Sequence, residues 1–264
     1  MPNFDDTLAY MMPHHFGGQP LSGEPTIYDD TTALTIFYES DEERLASFLP
    51  GGFSLRQNEV MVSMMENRGV RWMGSEPYNI VAVNIAARWE AEGIDGWYCL
   101  VVWENRATPI LPGREQTGIP KIFGEVEALR RFPDATVRTW SHYGGHTHCE
   151  ILASDVCVAT PEQRANVEAE FKSMNWFGFR FIPATNAAGA ALAQPTLFPQ
   201  EFKVRHVETG TPSLQWSAPA MHKNPTQAHI VASLRSLPIA GYTRPAVIMQ
   251  ARADLRGDLA RVLA

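Results

Sequence analysis

Residues 113–124 read Gly113-Arg114-Glu115-Gln116-Thr117-Gly118-Ile119-Pro120-Lys121-Ile122-Phe123-Gly124. Turn-forming residues bracket a lysine that sits between Ile119-Pro120 and Ile122-Phe123. An ammonium carried into an apolar pocket loses hydration, so its charged form is disfavoured and its pKa falls. A neutral amine can attack a carbonyl carbon and form a Schiff base. The same pattern also fits a strand-end lysine whose stem packs while its head reaches water. Both readings stand on these residues alone.

Outward from this stretch, short segments rich in β-branched and aromatic residues dominate. Strands are expected over residues 33–38, 60–65, 80–87, 97–103, 126–131, 136–142, 148–158, 176–182, 202–207 and 247–251. Most are bounded by Gly, Pro or Asp. Ser40-Asp41-Glu42-Glu43 has the spacing of a capping box, and Pro50-Gly51-Gly52 stops that helix. Thr160-Pro161-Glu162-Gln163 opens a second helix running to about residue 174. Residues 252–263 suggest a terminal helix, and the Ala- and Gly-rich residues 184–194 suggest a loop. Few segments could serve as crossover helices, so antiparallel meanders are expected rather than βαβ units. The expected fold is mainly β (α+β): one domain over residues 1–264, preceded within it by an N-terminal arm of residues 1–26.

At 264 residues, with 45% hydrophobic and 19% charged residues, the chain can bury a substantial core. A formal net charge of -7 argues against nucleic acid or an anionic membrane as a main partner. Cys99, Cys149 and Cys157 lack CxxC spacing and lie among apolar residues, which suggests buried thiols in a reducing compartment. Asp5 and Asp6 precede Leu8-Ala9-Tyr10-Met11-Met12 with no basic region, so no signal peptide is expected, and no apolar run reaches a membrane span. A cytoplasmic enzyme fits.

The segment Gly-Arg-Glu-x-x-x-x-Pro-Lys, with Gly124 three residues beyond Lys121, resembles the Schiff-base segment of the acetoacetate decarboxylase family. The likeness extends over about residues 28–251: Ile36-Phe37-Tyr38 before a helix, Glu76 before an apolar strand, and Asn175 to Pro183 before a β-rich C-terminal half. It implies an antiparallel β-sheet or barrel of the acetoacetate decarboxylase type. It also implies a nucleophilic Lys121 activated by desolvation or by a neighbouring cation. The family's decarboxylases carry a second lysine after the nucleophile, where this chain has Ile122. Thr31 and Ser63 stand where those decarboxylases place an arginine and an acid. The resemblance therefore implies a divergent member, similar to the aldolase-dehydratase branch.

Glu76, at a strand entrance, is expected to move protons if it faces the lysine; otherwise it is a solvated carboxylate. If residues 114–116 are extended, Arg114 and Gln116 share a face. Arg114 is then a bidentate partner for a carboxylate or a structural ion-pair partner. Gln116 is the expected substrate contact. Tyr242 is a candidate acid for an alkoxide or a leaving hydroxyl, or else a core tyrosine. His142, His146 and His148 flank a Gly-Gly turn, where three metal ligands could gather, although surface histidines are the commoner outcome and no metal is expected.

The expected activity is a Schiff-base lyase acting on a small keto acid. Lys121 attacks the ketone of a donor such as pyruvate; the iminium loses a proton to give an enamine, which adds to an aldehyde, and water leaves. Decarboxylation of a β-keto acid through the same iminium is the alternative. A non-catalytic small-molecule binding protein is the alternative of another class. No cofactor is needed, and the expected partners are a keto acid, an aldehyde and further copies of the chain.

Overall fold

The computed structural model describes residues 4–264. Its frame is built from long strands: β1 (Thr26–Glu39), β2 (Phe53–Val70), β3 (Tyr78–Trp89) and β4 (Ile94–Glu104) form an antiparallel meander. The three-residue strand β5 (Lys121–Phe123) follows, then the hairpin of β6 (Val137–Tyr143) and β7 (His146–Val158). The chain ends through β8 (Met174–Pro183), the 27-residue β9 (Ala190–Trp216) and β10 (Ala246–Leu255).

The pairing closes on itself. β8 pairs β4 through the parallel steps Trp176–Trp97 and Phe177–Tyr98, and β9 antiparallel through Met174–Gln200 to Pro183–Ala190. With β10 joining β9 to β1, the ring runs β8-β4-β3-β2-β1-β10-β9 and back to β8. β5 occupies the edge of β4 that β8 leaves free, with Lys121 opposite Val102 and Phe123 opposite Glu104.

A closed ring buries both sides of its strands. In β1, every residue from Ala33 to Tyr38 is buried, because alternate side chains enter two different cores. Ala33 and Phe37 point into the ring with Met61, Met65, Trp97, Trp176, Phe202 and Met249. Leu34, Ile36 and Tyr38 point outward, where Ile151, Ala153 and Leu214 of β7 and β9 cover them.

Four helices complete the described chain: α1 (Glu42–Ser47), α2 (Ala107–Glu115), α3 (Pro161–Phe171) and α4 (Ala228–Ser236). Thr160 and Gln163 form a reciprocal capping box at α3, with Pro161 in its first turn, and Phe171 meets Phe202 edge-on at 5.9 Å. α1 begins one residue later than the Ser40 box suggests: Asp41 accepts the Arg44 N–H at 2.9 Å.

The structure differs from the sequence expectations in several places. α3 ends at Phe171 rather than near residue 174, and the strand expected over residues 126–131 is two short pieces, Glu125–Val126 and Arg130–Arg131. Residues 107–115 are helical, although Pro109, Pro112 and Gly113 are poor helix formers. α4 carries Val231 and Leu234 at helical spacing into the outer core. Residues 252–255 continue β10 rather than opening a helix, because opposite charges pair across the ladder: Lys203 Nζ lies 2.8 Å from Asp254. The loop of residues 184–194 ends early, since β9 already begins at Ala190. Cys99 and Cys149 are buried, but Cys157 is exposed. No described helix is long and apolar enough to cross a membrane.

Candidate active site

A cavity of about 70 Å³ lies inside the ring. Its walls take residues from all seven strands, among them Tyr28, Asn67, Tyr78, Glu104, Trp176, Gln200 and Ala253. Ile119 and Lys121 close one side of it.

Local structure holds Lys121 there. Gly118 has φ +70°, a left-handed turn, and its missing side chain lets the turn pack on the backbone of Phe179 and Arg180. The turn redirects the chain, so that the Ile119 N–H donates to Gly113 O at 2.9 Å and the Val102 N–H donates to Pro120 O at 3.1 Å. Gly113 of α2 lies against the lysine stem; a Cβ at that position would overlap Lys121 Cδ and Cε. Lys121 Nζ donates to Pro109 O of the same helix at 3.1 Å.

The decisive partner is Glu104, at the end of β4. Its Oε1 lies 2.9 Å from Lys121 Nζ, with the lysine side chain 15% exposed and the glutamate 1%. The other oxygen, Oε2, is buried without a hydrogen-bond partner. Burial alone would lower the lysine's pKa, but the adjacent Glu104 carboxylate more than offsets it and holds Lys121 above the ordinary value. Burial pushes Glu104 upward, and the lysine opposes that shift. The pKa drop expected from the apolar neighbours of Lys121 is therefore corrected: those neighbours desolvate it, but a carboxylate from another strand keeps it charged.

The pair suits proton exchange. Low polarity disfavours separated charges, so moving one proton from Nζ to Glu104 replaces an ion pair with a neutral amine and a neutral acid without changing the total charge. Next to it, the Tyr28 and Tyr78 hydroxyls share a hydrogen bond of 2.7 Å. Burial raises both phenol pKa values, so both remain protonated at neutral pH. Trp176 adds an indole N–H with no partner.

Other sequence-derived candidates lie elsewhere. Glu76 is outside the cavity lining, half exposed, and paired with Arg106 at 3.1 Å. Tyr242 pairs with Tyr38 of β1, whose side chain faces the outer core; its hydroxyl accepts the Leu214 N–H at 2.9 Å and the residue is 37% exposed. Arg114 and Gln116 do not share an extended face, because α2 carries the first and ends at the second. Arg114 Nη1 donates to Lys121 O at 2.9 Å, so it braces the backbone, while Gln116 is exposed. Neither lines the cavity.

Thr31 and Ser63 are fully buried on the ring's inner side, where Thr31 donates to Asn67 Oδ1 at 3.0 Å and Ser63 bonds Thr35 at 3.0 Å. His142 pairs with Glu125 at 2.9 Å, His146 contacts Ser217 O at 2.8 Å, and His148 stacks on Trp103 at 4.8 Å. Among the described residues no three metal-ligating side chains converge. Sequence reasoning missed Glu104, Tyr28 and Tyr78. Glu104 had one usable signal: an acid ending the apolar strand Cys99-Leu100-Val101-Val102-Trp103.

Comparison with known proteins agrees with this architecture. The family model for acetoacetate decarboxylase matches residues 11–252. No curated protein sequence matches the chain. The acetoacetate decarboxylase of Legionella pneumophila is similar in structure, with a TM-score of 0.75 at 18% identity over 98% of each chain. An acetoacetate decarboxylase-like enzyme from Sphingomonas wittichii RW1 gives 0.68 at 17% identity, over 89% of this chain and 91% of that one. The enduracididine biosynthesis enzyme MppR, complexed with the condensation product of pyruvate and imidazole 4-carboxaldehyde, gives 0.69 at 14% identity over 100% and 99%. With a ring-enclosed lysine on the expected segment and a family match over most of its length, the chain belongs to the acetoacetate decarboxylase family.

Proposed function

We propose that this protein is a Schiff-base lyase in which Lys121 forms an iminium with a small carbonyl donor. The observation that carries the proposal is the Lys121–Glu104 pair at 2.9 Å inside a closed ring of strands. Proton transfer to Glu104 frees the amine, which attacks the carbonyl carbon; water leaves and the iminium forms. Its positive charge then takes the place of the ammonium beside Glu104. The iminium draws electrons from the adjacent carbon, Glu104 takes a proton from that carbon, and the resulting enamine adds to an aldehyde. The Tyr28–Tyr78 hydroxyl pair supplies the proton that a departing hydroxyl needs. Water then hydrolyses the product iminium and restores Lys121.

Aldol condensation–dehydration, or its reverse, is the favoured overall reaction. The second lysine of the family's decarboxylases is Ile122 here, and Thr31 and Ser63 replace polar groups suited to a β-keto acid. The likeness to MppR, complexed with a condensation product, supports the same overall reaction. Decarboxylation remains the second reading, favoured by one observation: apolar walls around Lys121 disfavour a carboxylate and so favour its loss as carbon dioxide.

Deuterium exchange tests the proposal. Enamine formation returns solvent deuterium to the donor's α-carbon, so pyruvate or acetone in heavy water should gain mass only with active protein. Equal exchange by Lys121→Ala and parent protein would remove the lysine from the mechanism.

A further inference from the structure

We propose that the donor accepted by this cavity is an uncharged ketone or aldehyde, in preference to a keto acid carboxylate. This rests on the Schiff-base proposal above and specifies the substrate class of the same site.

Charge balance carries the inference. Among the residues lining the cavity, only Lys121 and Glu104 are ionisable as acid or base near neutral pH. They are already committed to each other at 2.9 Å. Once Lys121 becomes an iminium, its charge and that of Glu104 cancel. A donor carboxylate would then add a negative charge that no lining residue offsets. A buried charge without a partner is strongly destabilising, and Glu104 would repel it at short range.

Nearby arginines are engaged outside the cavity. Arg106 pairs with Glu76, Arg114 donates to Lys121 O, and Arg180 donates to Glu115 O and Gln194 Oε1. The remaining polar lining is neutral: the amides of Asn67 and Gln200, the Tyr28 and Tyr78 hydroxyls, and the indole of Trp176. Trp176 is 4% exposed and its N–H lacks an acceptor. A buried donor of this kind suits a carbonyl or hydroxyl oxygen, which needs one hydrogen bond and no counter-ion.

The test is a pair of donors matched in shape and opposed in charge. Pyruvamide and pyruvate differ by an amide against a carboxylate; acetone is a smaller neutral control. Each is titrated against the protein at pH 7 with cyanoborohydride, and the reduced adduct is read by intact mass. Trapping by a free alkylamine corrects for the donors' intrinsic reactivity. Pyruvamide should half-label the protein at a concentration at least ~10-fold below pyruvate, equivalent to about 1.4 kcal/mol. In Glu104→Gln the ratio should narrow, because the repelling carboxylate is gone. Pyruvate labelling Lys121 at equal or lower concentration than pyruvamide would overturn the substrate class and leave the Schiff-base proposal standing. No Lys121 adduct with any donor would overturn both.

Discussion

Replacing Glu104 by Gln removes the carboxylate and keeps the shape. At 2.9 Å, and with an effective dielectric constant of about 20, its attraction for the Lys121 ammonium is about 6 kcal/mol before desolvation. Without it, burial is the largest influence left on the lysine, ahead of Tyr28 and Cys99, and it disfavours the ammonium. In the parent, the proton is shared within the pair, so the reactive fraction is level with pH between the pair's two titration steps. In the variant a single amine titrates, so adduct formation should rise through one sigmoid with its midpoint below the ordinary lysine value of 10.5. Turnover should nevertheless drop by about 10²–10⁴-fold, because the enamine step has lost its base. The assay is borohydride trapping against pH, read by intact mass, beside turnover of the same donor. Stability gives an independent measure: removing one partner of a buried pair costs about 3–5 kcal/mol, and here the cost should shrink as pH rises and Lys121 sheds its proton. A variant profile that overlays the parent's, or a midpoint at or above the ordinary lysine value, would refute the coupling.

Three further outcomes follow from individual contacts. Gly113→Ala should abolish trapping while leaving the fold intact, because the new methyl displaces the Lys121 stem and alanine suits a helix better by about 0.5–1 kcal/mol; parent-like trapping would show that the stem position is not critical. Tyr28→Phe should spare adduct yield yet slow the hydroxyl-loss step by about 10²–10⁴-fold, and unchanged turnover would exclude the Tyr28–Tyr78 pair as the acid. His148 has its pKa lowered from 6.5 to about 4 by burial, then by His146 and His142. A lowered pKa means stability fully present above pH 6.5 and lost as pH falls towards 4, by up to about 3 kcal/mol. Chemical denaturation across that window should show this slope in the parent and not in His148→Gln.

The fold was legible where the chain's local pattern agrees with its tertiary setting. The strand segments around residues 33–38, 60–65 and 80–87 lie within longer strands, and the Thr160 capping box forms as its spacing suggests. The segment around Lys121 was legible because Gly118, Pro120 and Lys121 act locally, through one turn and one strand. α2 was hidden because its prolines and glycine argue against a helix, and only packing against β4 and β5 sustains it. Glu104 was hidden because its partner comes from another strand, and no sequence spacing records cross-strand pairing. Tyr28 and Tyr78 meet across the ring for the same reason. Glu76 and Tyr242 have the chemistry of proton-transfer groups, but Arg106 pairs with the first and the Leu214 N–H donates to the second, contacts that no local spacing records.

The central claim is that Lys121 itself forms the covalent bond to the donor. Borohydride reduction in the presence of acetone or pyruvamide, followed by digestion and peptide mass mapping, tests this most directly. The account predicts one reduced adduct per chain, on the peptide containing Lys121, and none in Lys121→Ala. An adduct on a different lysine, or an equal yield from Lys121→Ala, would contradict it.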